Sequence, residues 1–122
     1  MTAQNDVRPR VLVIDDEDAV RSMLLRALAL WGYEGVPASS GNAAIDLLDG
    51  GERAEAVLLD LTMPGMTGEA TLAAIQARLP GVPVALMSGY PREDLAAAGY
   101  RFLVKPFDLD SLKRLLEEMV PR

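Results

Sequence analysis

Five polar residues stand where short apolar runs stop. Asp15 and Asp16 follow the run 11–14 (Val-Leu-Val-Ile), and Asp60 follows 56–59 (Ala-Val-Leu-Leu). Ser88 follows the apolar stretch 82–87, and Lys105 follows 102–104 (Phe-Leu-Val). If these runs lie side by side with their ends aligned, three carboxylates, a hydroxyl and an ammonium converge. Crowding carboxylates is costly, since two like charges ~4 Å apart repel by about 4 kcal/mol at an effective dielectric near 20. Such a triplet persists when a cation joins it. Oxygen donors without imidazole or thiolate select magnesium, calcium or manganese over zinc or copper. Magnesium characteristically keeps several waters and shares carboxylates with a phosphate. With Lys105 adding positive charge, the constellation reads as a carboxylate that accepts a phosphoryl group beside magnesium and lysine.

Taken singly, each residue has a plainer reading. Asp15 or Asp16 alone caps a helix, Asp60 heads a turn before Pro64-Gly65, Ser88-Gly89 opens a loop, and Lys105 is a solvated strand end. Met63 and Met66 read as packing residues. What favours chemistry is the arrival of complementary charges at four strand ends together.

The elements that must position them follow from hydrophobic patterning. The four apolar runs are rich in branched residues and lack polar alternation, which suits strands covered on both faces of a parallel sheet. A fifth strand is predicted over Glu34–Ala38, at an edge because it holds Gly35 and Pro37. Val20, Met23, Leu24, Ala27, Leu28 and Trp31 mark one face of a helix that ends at Gly32. Further helices are expected over Gly41–Asp49, from a Thr67 N-cap to about Leu79, and after Asp108, where Leu109, Leu112, Leu116 and Met119 share a side. Strand alternating with helix five times implies right-handed crossovers and a doubly wound α/β sheet. In such sheets ligands bind beyond the carboxyl ends of the strands.

At 122 residues the chain has room for one domain, expected over residues 10–122 after a flexible tail at 1–9. It contains no cysteine and no histidine. Disulfides, Cys-type zinc sites, a Ser-His-Asp triad, a histidine general base and a phosphohistidine carrier are therefore excluded. A formal net charge of −6 disfavours direct nucleic-acid binding. No apolar run approaches the ~18 residues of a membrane span, and the N-terminus lacks the apolar core of a signal peptide. A cytoplasmic location without membrane insertion is expected.

Asp15-Asp16, the segment Asp60-Leu61-Thr62-Met63-Pro64-Gly65-Met66-Thr67-Gly68, the Met87-Ser88-Gly89 strand end and Lys105-Pro106-Phe107 together resemble the receiver domain of bacterial two-component response regulators. The resemblance runs over residues 10–120. It implies a flavodoxin-like, CheY-like sheet in the order 2-1-3-4-5. Asp60 would be the phosphoacceptor, a carboxylate nucleophile. Asp16 would bind magnesium (or manganese) directly and Asp15 chiefly through water, with Asp60 and the backbone carbonyl of Thr62 completing the ligands. Lys105 would bind a phosphoryl oxygen, Ser88 would swing to the phosphoryl group, and Gly89 would leave that approach open. Pro106 would follow a cis peptide bond, and Phe102 would be the switch aromatic. The implied partners are a sensor histidine kinase or histidine phosphotransfer protein upstream and a protein downstream. The domain would catalyse only its own phosphorylation and dephosphorylation.

One departure concerns residues 89–104, sixteen positions that must hold a loop, a helix, a turn and a strand. The fourth helix can hardly exceed 92–98, about 10 Å at ~1.5 Å per residue. The compact Ser-Gly-Tyr-Pro stretch resembles receivers fused to hybrid sensor kinases, so a module of that kind or a free-standing regulator is expected. Tyr90, two residues past Ser88, is close enough to influence hydrolysis. Two alternatives share the chemistry or the fold. A magnesium-dependent phosphohydrolase with an aspartyl nucleophile wants a second acid two residues on, where Thr62 stands. An unphosphorylated receiver-like scaffold commonly loses an acid or the lysine, and here all are present. A flavodoxin-like nucleotide binder is disfavoured because Asp15-Asp16-Glu17-Asp18 would repel phosphate.

Overall fold

Branched apolar residues at consecutive positions suit extended backbone buried on both sides. In the computed structural model, which describes residues 8–121, they form five strands. These are β1 (Arg10–Ile14), β2 (Glu34–Ala38), β3 (Ala56–Asp60), β4 (Val84–Ser88) and β5 (Arg101–Val104). Between and after them run α1 (Asp18–Leu30), α2 (Gly41–Asp49), α3 (Gly68–Arg78), α4 (Glu93–Ala97) and α5 (Leu109–Met119). All neighbouring strands are parallel, in the order β2-β1-β3-β4-β5. Order reverses beside β1, where the chain steps first to β2 and then across to β3.

Helix ends obey local chemistry. Ser40, Thr67 and Asp108 each accept a backbone N–H three residues on, from Ala43, Ala70 and Ser111. This satisfies a donor that the first turn of a helix leaves orphaned. Gly32, just past α1, has φ 88°, the left-handed conformation that glycine adopts without steric penalty. Helix α1 is different: its N-cap is Glu17, which makes no side-chain capping bond. Neither Asp15 nor Asp16 caps it.

One expectation shifts. Strand β4 begins at Val84 rather than 82, because Pro83 has no N–H to give a ladder; its carbonyl still accepts from Val57 N–H at 3.0 Å. Helix α4 keeps only five residues, within the 92–98 limit, and none of them is buried. The tail expected at 1–9 lies, for residues 1–7, outside the described residues. Pro9 is tied to the sheet edge, its carbonyl accepting from Glu34 N–H at 2.9 Å.

The pleat divides the core in two, since successive strand side chains point to opposite faces. Val11, Val13, Leu58, Ala85, Met87 and Leu103 pack with Leu24 and Leu28 of α1 and with Leu112, Leu116 and Met119 of α5. Leu12, Ile14, Val57, Leu59, Val84 and Leu86 face Ala44 of α2 and Leu72 and Ile75 of α3, with Leu95 and Phe102 packed against them. By parity Asp60 belongs to the first face, and Ser88 to the second. Helix α3 is pressed onto the chain just after β3: a Cβ at Gly68 would lie 2.6 Å from Leu61 Cδ2 and 3.1 Å from its backbone. Leu58 is fully buried at the centre of the sheet. Leu58→Ala should cost about 2–5 kcal/mol, read as a lowered midpoint in urea unfolding with an unchanged slope.

Candidate functional site

Parallel register aligns the strand ends. Ile14 pairs with Leu59, Asp60 with Met87, and Ser88 with Val104. Asp15 and Asp60 therefore emerge level, and Lys105 leaves β5 beside Ser88, its N–H donating to the Ser88 carbonyl at 2.7 Å. The peptide bond Lys105-Pro106 is cis, as expected.

Asp15 and Asp60 are buried, whereas Asp16 is exposed. One oxygen from each of these three carboxylates lies within 4.8 Å of the others. Lys105 Nζ reaches into the cluster, 2.9 Å from Asp15 Oδ2, 3.3 Å from Asp60 Oδ2 and 3.7 Å from Glu17 Oε1. Burial pulls the Lys105 pKa down. The hydrogen bond and charge of Asp15, joined by those of Asp60, outweigh it and hold the ammonium above the ordinary lysine value.

Asp60 is oriented from both sides. Its Oδ1 accepts from Thr62 N–H at 3.0 Å and from the Thr62 hydroxyl at 2.8 Å, while Oδ2 faces Lys105. Asp15 is pinned at every polar atom. Its N–H donates to the Ala38 carbonyl (3.2 Å), its carbonyl accepts from Arg21 (2.7 Å), Oδ1 accepts from Glu17 N–H (2.9 Å), and Oδ2 takes Lys105. Set against the one ammonium, which pairs with Asp15 and Asp60 but not with Asp16, the three clustered carboxylates leave two negative charges uncompensated. An all-oxygen donor set with that imbalance suits a divalent hard cation.

Ser88 is buried, but its Oγ accepts from Tyr90 N–H at 3.3 Å, a bond internal to its own turn. A Cβ at Gly89 would meet nothing within 4 Å, so the space there is open as expected, yet a small side chain would also fit. Tyr90 is 61% exposed. Phe102 is half-buried and pairs in register with Leu86, two residues before Ser88, so both lie on one sheet face. Met63 packs against that face's core.

Every residue expected at the strand ends is thus brought to one rim. Reasoning from sequence missed the Thr62 hydroxyl on Asp60, the approach of Glu17 to Lys105, and Arg21. For Arg21 a signal existed: it stands three residues after Asp18, on the same helix face, and their side chains meet at 2.5 Å.

An acid cluster and a lysine at the rim of a 2-1-3-4-5 sheet define a class of phosphorylation-dependent signalling switch. The chain belongs to the response regulator receiver domain family, whose model matches residues 11–117. The regulatory protein AtoC of Escherichia coli is 37% identical over 122 residues, which is 96% of this chain and 25% of AtoC. The sensor kinase CckA of Brucella abortus is 35% identical over 119 residues, 92% of this chain and 12% of CckA. The crystal structure of the response regulator TrrA from Thermotoga maritima, in complex with Mg2+ and BeF, superposes with a TM-score of 0.81 at 30% identity, covering 92% of this chain and 99% of that one. The chain spans about a quarter of the length of relatives such as AtoC.

The raised Lys105 pKa sets a sign for pH dependence. Its ion pairing is fully present below the unfolded-state lysine value and is lost as pH rises through the folded-state value. The stability difference between wild type and Lys105→Gln should therefore stay level from pH 7 to about 10 and shrink only above the ordinary lysine range, as followed by urea melts at stepped pH.

Proposed function

We propose that Asp60 takes a phosphoryl group from the phosphohistidine of a sensor histidine kinase or histidine phosphotransfer protein. The observation that supports this most directly is a buried carboxylate clamped by Thr62 and faced by Lys105, with two more acids beside it. An oxygen of Asp60 attacks phosphorus. The O–P bond forms as the P–N bond of the phosphoimidazole breaks, and the departing nitrogen keeps the electron pair and takes a proton. Lys105 is placed to turn its ammonium from the carboxylates to the phosphoryl oxygens, stabilising charge in the transition state.

Asp15, Asp16, Asp60 and the Thr62 carbonyl would hold Mg2+, and Mn2+ suits the same oxygen donors. A divalent ion held there would supply charge neutralisation for the phosphoryl oxygens. Two uncompensated negative charges among the side chains support this, as does the similarity to TrrA, whose complex holds Mg2+.

Phosphorylation adds about −1.5 to −2 charge and new acceptor oxygens. Ser88 would exchange its Tyr90 bond for one of them, and Phe102, on the same face, would repack into the space released. Phosphate shifts the population only by binding one arrangement better than the other. The domain catalyses its own phosphorylation and dephosphorylation and passes its state on by contact with a downstream protein. It does so as a single-domain regulator or as the receiver module of a hybrid kinase, in the cytoplasm. Among the described residues no helix is long and apolar enough to cross a membrane. The phosphohydrolase alternative finds no support, since Thr62 donates to Asp60 where a second acid would stand.

Incubation with acetyl phosphate and Mg2+ should add one phosphoryl group to wild type by intact mass, none to Asp60→Asn, and none after chelation with EDTA. Equal modification of wild type and Asp60→Asn overturns the assignment. Ser88→Ala should still be modified, but beryllofluoride with Mg2+ should shift its Phe102 NMR resonances much less than in wild type. Shifts of full size would remove Ser88 from the mechanism.

A further inference from the structure

Arg21, in the first turns of α1, is 18% exposed at its side chain, and its guanidinium is spent on the turn that carries the acids. Nη1 donates to the Asp15 carbonyl at 2.7 Å, while Nη2 pairs with Asp18 Oδ1 at 2.5 Å. The Asp15 carbonyl belongs to the peptide that leads into Asp16, so the bond sets the plane from which Asp16 departs. Asp16 itself takes no side-chain hydrogen bond among the described residues, and Glu17, the N-cap of α1, makes no side-chain capping bond. Asp16 is therefore placed by its backbone alone, and Arg21 ties that backbone to the helix.

We infer that Arg21 is a positioning residue for the divalent cation: its two-pronged hold on the Asp15 carbonyl and Asp18 presents Asp16 to the Asp15–Asp60 pair. The inference rests on the receiver reading of the acid cluster. It makes a claim opposite in sign to simple electrostatics. A guanidinium near a cation site repels the cation, so removing its charge should tighten binding if charge alone mattered. If geometry matters more, removing the fork loosens binding. Lysine separates the two further, because it keeps the charge but has no planar fork to bridge both acceptors.

The test is Mg2+ titration by isothermal calorimetry on the full 122-residue chain, as wild type, Arg21→Ala and Arg21→Lys, with thermal melts in EDTA to confirm folding. Residues that orient metal ligands typically account for 10–100-fold in affinity. Both variants should bind Mg2+ at least about tenfold more weakly. With acetyl phosphate, each should need correspondingly more Mg2+ for half-maximal modification of Asp60, yet reach a similar plateau rate. Unchanged or tighter binding by Arg21→Ala, or wild-type affinity in Arg21→Lys, overturns the inference. If Arg21→Ala does not fold, Arg21→Lys decides. A wild type that binds Mg2+ and is phosphorylated, beside variants that bind equally well, sinks this inference alone. A wild type that does neither sinks the receiver reading with it.

Discussion

Three carboxylates crowd together beside a single lysine at the rim of a sheet that is buried on both faces, and the rest of the molecule is organised around that imbalance. Asp15 and Asp60 are closed to solvent, so water does little to spread their charge, and Lys105 can answer only part of it. A well-packed protein with no task would replace such a cluster with apolar side chains, since buried ion networks rarely add net stability. Here the surplus negative charge is retained, and the two buried acids, Asp15 and Asp60, are each held by specific donors. The site is electrostatically incomplete by construction.

The sheet carries the consequences of binding to two different surfaces. Asp60 shares its parity with Leu58 and the side covered by α1 and α5, while Ser88 and Phe102 lie on the side covered by α2, α3 and α4. The rim touches the second side at Ser88, where β4 ends, and at Leu61 and Met63, just after Asp60. The serine hydroxyl there is buried and bonded within its own turn.

Much of this was legible in the chain. The runs at 11–14, 56–59 and 102–104 marked strands to within a residue or two, because residues covered on both faces admit no polar interruption. Ser40, Thr67, Gly32 and the leucines of α5 carry end and face signals that act over three or four residues. The polar residues closing each run revealed the site, since parallel register brings successive strand ends to one rim. What stayed hidden depends on side-chain rotamers and local backbone. Thr62 could be read as a missing acid, but not as a hydroxyl donating to Asp60. Pro83 sat within an apolar run and looked like strand, although it lacks the N–H a ladder needs. Arg21 drew no reading at all, because its bond to the Asp15 carbonyl depends on how the turn before α1 folds back.

Helix α4 has only five residues and buries none of them, far short of the ~12–15 that make a helix stable on its own. Its hold on the body runs through the partly buried Leu95 and through Arg92, which bridges Glu69 of α3 and Asp94 of its own first turn at 2.7 and 3.0 Å. Exposed pairs of that kind contribute little. This corner is consequently weakly held, a hem rather than a seam. Any rearrangement of the stretch after β4 would dismantle almost no packing, so the helix itself would offer it little resistance.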